Sequence, residues 1–285
     1  MKRKKARRTP TTKKTLPARG KKARPAVSSK RFEPEVLIAA GLNMLHHDIA
    51  DLFVQTAREA VAKRGRFLVA LSGGTEPVGL FRLLATEPYR SDVPWDRTYV
   101  VWGDDRHVPL DHPDSNYKMA LDLLLSKVEV SPGHLYPMTD ATQKPEKAAA
   151  DYEKTLKHLT GAKGLPVLDF NLMGMGPDGH TASLFPQRAQ LTEKKKWVIG
   201  YWVDKERKNR VTMTFPVLNA SRLTVVLIDG PKKANLLKTI LEGQREPDRY
   251  PIQHLKAAPG GRLLFALDNR AAMLLSKKPE PLEGS

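Results

Sequence analysis

The chain has 285 residues, enough for one large domain or two small ones, and no cysteine, which excludes disulfides, thiol nucleophiles and cysteine-based metal sites. Its formal charge of +17 is local: residues 1–31 hold 14 of the 48 Lys/Arg and none of the 31 Asp/Glu, which leaves 34 basic against 31 acidic groups in residues 32–285. The body is therefore near neutral, and no apolar run approaches the ~18–20 residues that span a bilayer. The basic start is not followed by the apolar stretch of a secretory signal, so the expected location is cytoplasmic.

Residues 1–31 are Lys, Arg, Thr, Pro, Ala and Ser, with Leu16 and Val27 the only large aliphatics. Such a segment cannot bury enough apolar surface to offset its chain entropy, and we expect a disordered basic tail. It reads first as a solubilising tail. Non-specific binding to nucleic acid or another polyanion is the sharper reading. An acid-free, Arg- and Thr-containing start also has the look of a transit peptide, and translation from an upstream start is a further alternative.

Residues 32–285 then alternate. Val36 to Ala40 is a short apolar run of open type. Asn43 to Arg64 has helical apolar spacing and stops at Gly65. Phe67 to Leu71 predicts a strand, Pro77 to Ala85 a helix, and Thr98 to Trp102 a strand followed by a polar loop. Helices are expected over Asn116–Leu125 and Glu146–Leu159, and a strand over Val167–Met173. Trp197–Val203, Val211–Phe215 and Leu223–Ile228 read as strands, Pro231–Leu241 as a helix, Leu263–Leu267 as a strand and Asn269–Leu275 as a short helix. Strands alternating with helices predict an α/β fold with a mostly parallel sheet flanked by helices, in one domain. Ligands of such sheets bind beyond the carboxyl ends of the strands, which singles out the loops after Leu71, Trp102 and Met173.

The first loop is Ser72-Gly73-Gly74-Thr75-Glu76-Pro77. Its glycines let backbone approach a ligand, and Pro77 opens a helix whose N-terminal N–H groups suit a phosphate. It can also be a plain tight turn, and Glu76 argues mildly against an anion there. The second loop carries Asp104, Asp105 and Arg106. Arg106 can bind a phosphate or carboxylate with paired N–H bonds, and an acid beside it can act as a base or orient one. A surface salt-bridge cluster is the plainer alternative. Asp114, Ser115 and Asn116 read as a helix N-cap.

The third loop, Gly174 to Pro186, contains Gly174, Gly176 and Gly179 in the G-x-G-x-x-G spacing. Pro186 cuts short the helix a dinucleotide site needs, and no acid follows about 20 residues on for the ribose. His180 at the end of a strand suits acid–base work near neutral pH, with Asp178 two residues away to orient it. Asp178 and His180 are too few to hold a metal, so no metal and no cofactor are expected.

Taken together, these loops resemble the 6-phosphogluconolactonase family, within the group that includes glucosamine-6-phosphate deaminase. The resemblance covers roughly residues 35–275 and is most specific over Gly174–Pro186. Leu71–Thr75 with Pro77, Trp102 with Asp104–Arg106, Ser115–Asn116, Arg210–Thr214, Gly230–Ala234 and Pro251–Gln253 match further family segments. The chain departs from the pattern at Asp105, where Glu is usual, and at Glu76, where a small hydroxyl residue is usual. The deaminases carry a glutamate five residues after the histidine, where this chain has Phe185.

The resemblance implies a modified Rossmann-like fold and hydrolysis of 6-phospho-D-glucono-1,5-lactone, a step of the oxidative pentose phosphate pathway. It implies catalysis by His180 with Asp178 and Asp104. Ser72, Gly73, Gly74, Thr75, Arg106, Arg210 and Lys233 would hold the sugar phosphate. The partner implied is a small sugar-phosphate lactone. Two alternatives are a deaminase or isomerase of the same fold and a non-catalytic sugar-phosphate sensor with a polyanion-binding tail.

Overall fold

The computed structural model describes residues 31–161 and 164–276, so the expectation for the basic tail lies, apart from Arg31, outside the described residues. The open apolar run forms β1 (Glu35–Ala39) and leads into α1 (Leu42–Arg64). Leu45, Ile49, Phe53, Ala57 and Ala60 recur at helical spacing along α1 and are all buried. The helix stops at Gly65, whose positive φ of 73° lets its N–H bond the Val61 carbonyl.

β2 (Phe67–Leu71) follows, with all five residues buried as expected for a central parallel strand. Then come α2 (Pro77–Leu84), α3 (Tyr89–Asp92), β3 (Thr98–Trp102), β4 (Asp104–Arg106), α4 (Asn116–Leu123), α5 (Pro145–Thr160) and β5 (Phe170–Gly174). The chain continues through β6 (Val198–Val203), β7 (Lys208–Met213), α6 (Phe215–Leu218), β8 (Leu223–Ile228), α7 (Ala234–Glu242) and β9 (Arg262–Asp268).

Six strands form one parallel sheet in the order β1-β9-β8-β5-β2-β3. Phe53 packs its ring against both Phe67 and Phe170, each 5.2 Å away between centroids, which ties α1 to β2 and β5. The expected α/β architecture with a mostly parallel sheet is present. From β2 the chain moves outward to β3, whereas from β5 it moves the other way to β8. Their following loops diverge, opening a crevice over the carboxyl ends of these neighbours.

Several expected elements differ. The polar loop after Trp102 contains β4, which pairs antiparallel with β7, and β7 pairs with β6, giving a second, three-stranded sheet. β7 lies three residues earlier than expected because it pairs with β6 down to their shared hairpin turn. β5 begins at Phe170 rather than Val167. The Asp169 carboxylate accepts from the Leu68 N–H at 2.9 Å and pairs with Arg64 at 2.8 Å, anchoring the strand's entry, while Val167 is exposed.

The expected helix over Asn269–Leu275 is a series of turns. Asp268 Oδ1 takes the N–H groups of Ala271 (2.7 Å) and Gly230 (3.0 Å), and so competes with a helical ladder. Pro231–Lys233 form a tight 3-10 turn before α7 rather than its first helical turn.

Candidate active site

The loops after β2, β3, β5 and β8, with part of the second sheet, surround one cleft of about 400 Å³. Ser72, Gly73, Gly74, Thr75, Asp104, Arg106, His180, Arg210 and Lys233 all line it; Asp178 stands behind His180.

The histidine is placed by a tightly bonded turn. Gly176 N–H donates to the His180 carbonyl at 2.9 Å, Gly179 N–H to the Gly176 carbonyl at 3.0 Å, and Ile252 N–H to the Gly179 carbonyl at 2.9 Å. Gly179 has φ of 79°, a conformation glycine adopts without strain. Gly176 is required for a different reason: a Cβ there would lie 2.0 Å from Cε1 of His180.

The imidazole is thus seated on bare backbone on one side and against the Phe185 ring, 4.4 Å between centroids, on another. His180 Nδ1 and Asp178 Oδ1 are 2.6 Å apart. The carboxylate accepts Nδ1–H, which leaves Nε2 as the nitrogen free to exchange a proton. Burial works to raise the Asp178 pKa, but hydrogen bonds from His180 and Lys205, the latter 2.8 Å from Oδ2, outweigh it and leave the carboxyl below its ordinary range.

Asp104 does not touch the imidazole. Its Oδ2 accepts from Ser183 Oγ at 2.6 Å, and it is buried. The geometry therefore separates the two carboxylates between which the sequence did not choose: Asp178 holds His180, and Asp104 faces the cleft from β4.

Strand alternation explains the second loop. Asp104 and Arg106 point to one face of β4, and Asp105 between them points to the other. Arg210 lies opposite Arg106 in the β4–β7 register, so both guanidinium groups reach the cleft. Arg106 is held by the Asn116 Oδ1 at 2.5 Å and the Asp114 carbonyl at 3.2 Å. Arg210 is buried, bonds Glu206 at 3.3 Å, and keeps its Nε without a partner among the described residues. Burial pulls the Arg210 pKa down, and Asp104 is the first of the charges that oppose it.

Asp105 has a structural task. It accepts from the N–H groups of Asn116 (2.7 Å), Tyr117 (3.2 Å) and Arg106 (2.7 Å) and from Ser115 Oγ (3.3 Å). It therefore stitches β4 to the start of α4. Its burial pushes its pKa up to about 6, with the backbone donors opposing that shift.

The first loop meets the same scaffold. A Cβ at Gly73 would lie 1.8 Å from Asn116 Oδ1, so only glycine lets the loop pass the α4 terminus. The N–H groups of Gly73, Gly74 and Thr75 have no acceptor among the described residues and sit at the cleft. Lys233, from the turn after β8, enters from the far side and forms an ion pair with Glu76. Burial works to lower the Lys233 pKa, to about 8, and the adjoining Glu76 carboxylate works to keep the ammonium charged.

Sequence reasoning missed Ser183, Lys205 and Glu206. Lys205 and Glu206 lie at the β6–β7 hairpin tip, and the turn run from Asp204 to Arg207 between two strands is the signal that marks that tip. Ser183 gave no signal apart from its place in the Gly174–Pro186 segment. Among the described residues, no group of three or more His, Asp or Glu side chains is arranged to hold a metal ion. No helix there is long and apolar enough to cross a membrane.

The chain is 39% identical over 255 residues to a rice (Oryza sativa) protein named probable 6-phosphogluconolactonase 4, chloroplastic, covering 86% of this chain and 78% of that one. It is 38% identical over 216 residues to the 6-phosphogluconolactonase of Synechocystis, covering 75% and 86%. Among solved structures, the Trypanosoma brucei 6-phosphogluconolactonase superposes with a TM-score of 0.73 at 25% identity, covering 86% of this chain and all of that one. A monomeric glucosamine-6-phosphate deaminase shares the fold, with a TM-score of 0.71 at 19% identity over 84% of this chain and 99% of its own. Residues 42–265 match the family described as glucosamine-6-phosphate isomerases/6-phosphogluconolactonase, and the chain belongs to that family.

Proposed function

We propose that this chain is a 6-phosphogluconolactonase that hydrolyses 6-phospho-D-glucono-1,5-lactone to 6-phosphogluconate in the oxidative pentose phosphate pathway. The observation that carries the reading is the Asp178–His180 pair at 2.6 Å, presented at a cleft lined by Arg106, Arg210 and Lys233. His180 Nε2 takes a proton from water as the water oxygen bonds to the lactone carbonyl carbon. Collapse of the tetrahedral intermediate breaks the bond to the ring oxygen, and the proton passes from His180 to that leaving oxygen. Asp178 fixes the tautomer and stabilises the imidazolium formed in between.

The 6-phosphate is held by the free N–H groups of Gly73, Gly74 and Thr75, with Ser72 beside them and Arg106, Arg210 and Lys233 around it. Asp104 is the second carboxylate of the cleft, held by Ser183 beside Arg210. Phe185, which packs on the imidazole, stands where the deaminases carry a glutamate, and this favours lactonase over deaminase.

Positioned acid–base catalysis is worth about 10²–10⁴-fold. His180→Ala is expected to lose that much lactone hydrolysis above the spontaneous rate, measured by continuous titration of released acid. Turnover at the wild-type rate would overturn the role of His180.

The basic segment is proposed to bind polyanions non-specifically, with an affinity that falls steeply with salt. A cytoplasmic location belongs to the same proposal. The rice relatives are named chloroplastic, so imaging of the tagged full chain distinguishes the two locations.

A further inference from the structure

The Lys233 ammonium in the cleft does not stand alone. Lys233 is paired with Glu76, and both side chains are nearly buried, at 15% and 12% exposure. Glu76 is the residue before α2, and its backbone is already helical (φ −60°, ψ −45°), so its side chain does not cap the helix. The carboxylate instead folds back over the glycine loop. Its Oε2 lies 3.5 Å from Thr75 Oγ1 and would be 2.8 Å from a Cβ on Gly74. It thus covers the same backbone that offers N–H groups to a phosphate.

We propose that Glu76 acts as an internal competitor for the anion seat. The carboxylate occupies the Lys233 ammonium until a phosphorylated ligand displaces it. The inference rests on the reading that this cleft takes a sugar phosphate, and it adds what that reading does not contain: the seat is closed by the chain's own anion.

The physical consequence is a threshold for binding. A free anion that touches only Lys233 must break a half-dry ion pair and gains little in exchange. A sugar phosphate is also held at Arg106 and Arg210, whose Nε still lacks a partner among the described residues, and at its sugar end. Only such a ligand has contacts enough elsewhere to offset the displacement. The displacement costs every ligand the same, so Glu76 weakens inorganic phosphate and sugar phosphate by a similar factor, and only the sugar phosphate has contacts enough to bind well in spite of it.

The test uses the full chain with Glu76→Gln and Glu76→Thr, checked for native melting. Calorimetry measures the affinity for inorganic phosphate, and steady-state kinetics measure KM and kcat for the lactone. Removal of the carboxylate is expected to tighten inorganic phosphate about tenfold or more. KM falls by a similar factor, and the effect falls on KM rather than kcat. Unchanged or weaker phosphate binding in both variants overturns the proposal, as does a loss confined to kcat. The calorimetric arm needs no turnover. Tightened phosphate binding in a chain that hydrolyses no lactone would uphold the competitor and refute only the lactonase reading.

Discussion

At the scale of single residues, the cleft works by giving similar side chains different neighbours. Asp178 is surrounded by donors, from His180 and Lys205, and its pKa is depressed. A carboxyl with a depressed folded-state pKa contributes stability above its unfolded value, near 4, and loses it only as pH falls through the lower folded value. Asp178 is accordingly ionised throughout the neutral range. Asp178→Asn should lower kcat by about 10- to 10⁴-fold, by presenting an acceptor that no longer stabilises the imidazolium. Wild-type kcat in Asp178→Asn would remove it from the mechanism. Gly176→Ala offers a complementary test. A methyl 2.0 Å from the imidazole carbon must displace the ring, so activity should fall towards that of His180→Ala, and stability by about 1–3 kcal/mol. Rotation of the ring without loss of rate would show that its seat is not needed.

At the scale of elements, β4 is three residues long and carries three different assignments. Its alternation sends Asp104 and Arg106 into the cleft and buries Asp105 against the start of α4. Because burial raises the Asp105 pKa to about 6, the sign of its pH effect is opposite to that of Asp178. The folded state holds a proton more tightly than the unfolded one, so the penalty is absent below about pH 4 and complete above about pH 6. Denaturant melts of wild type and Asp105→Asn should therefore diverge with pH, the variant gaining roughly 2–3 kcal/mol relative to wild type between pH 4 and 7. A constant difference would mean that Asp105 is ionised at every pH tested. This is also where the sequence was least legible. A stretch of Asp, Asp, Arg and His has neither helical nor apolar strand periodicity, and its strand character comes from pairing with Lys208–Met213, about a hundred residues away. By contrast β2, β3 and β8 were legible to the residue, because a run of apolar side chains bounded by polar ones has one burial solution in a parallel sheet. Glu76 shows the intermediate case: its chemistry was noticeable in the sequence, and its partner Lys233 was named, but their contact required the fold.

At the scale of the molecule, the cleft lies where two sheets meet. The parallel sheet supplies His180, Lys233 and the glycine loop, and the small antiparallel sheet supplies Asp104, Arg106 and Arg210. The join is covalent at Gly103, whose N–H bonds the Leu71 carbonyl and whose carbonyl accepts from Met213 N–H. A ligand spanning both sheets should stabilise them together. The product 6-phosphogluconate at 100 times its Kd should add about 2.7 kcal/mol, read as a melting temperature higher by several degrees. Arg210→Ala should abolish most of that shift while His180→Ala keeps it. An equal loss in both would argue that the phosphate is not held by the second sheet.

The strand order has a further consequence, for biosynthesis. β9 lies between β8 and β1 and pairs with both in parallel. The first described strand to leave the ribosome thus has no partner among the described residues until residues 262–268, the last described strand, have been made. Glu35 waits likewise for Arg262, its ion-pair partner at 2.7 Å. The nascent chain must therefore carry an unpaired β1 through most of its synthesis, and its cooperative sheet closes late. Stalled chains ending before Arg262 should be cut by protease within residues 35–39, whereas chains ending well beyond Asp268 should be protected there.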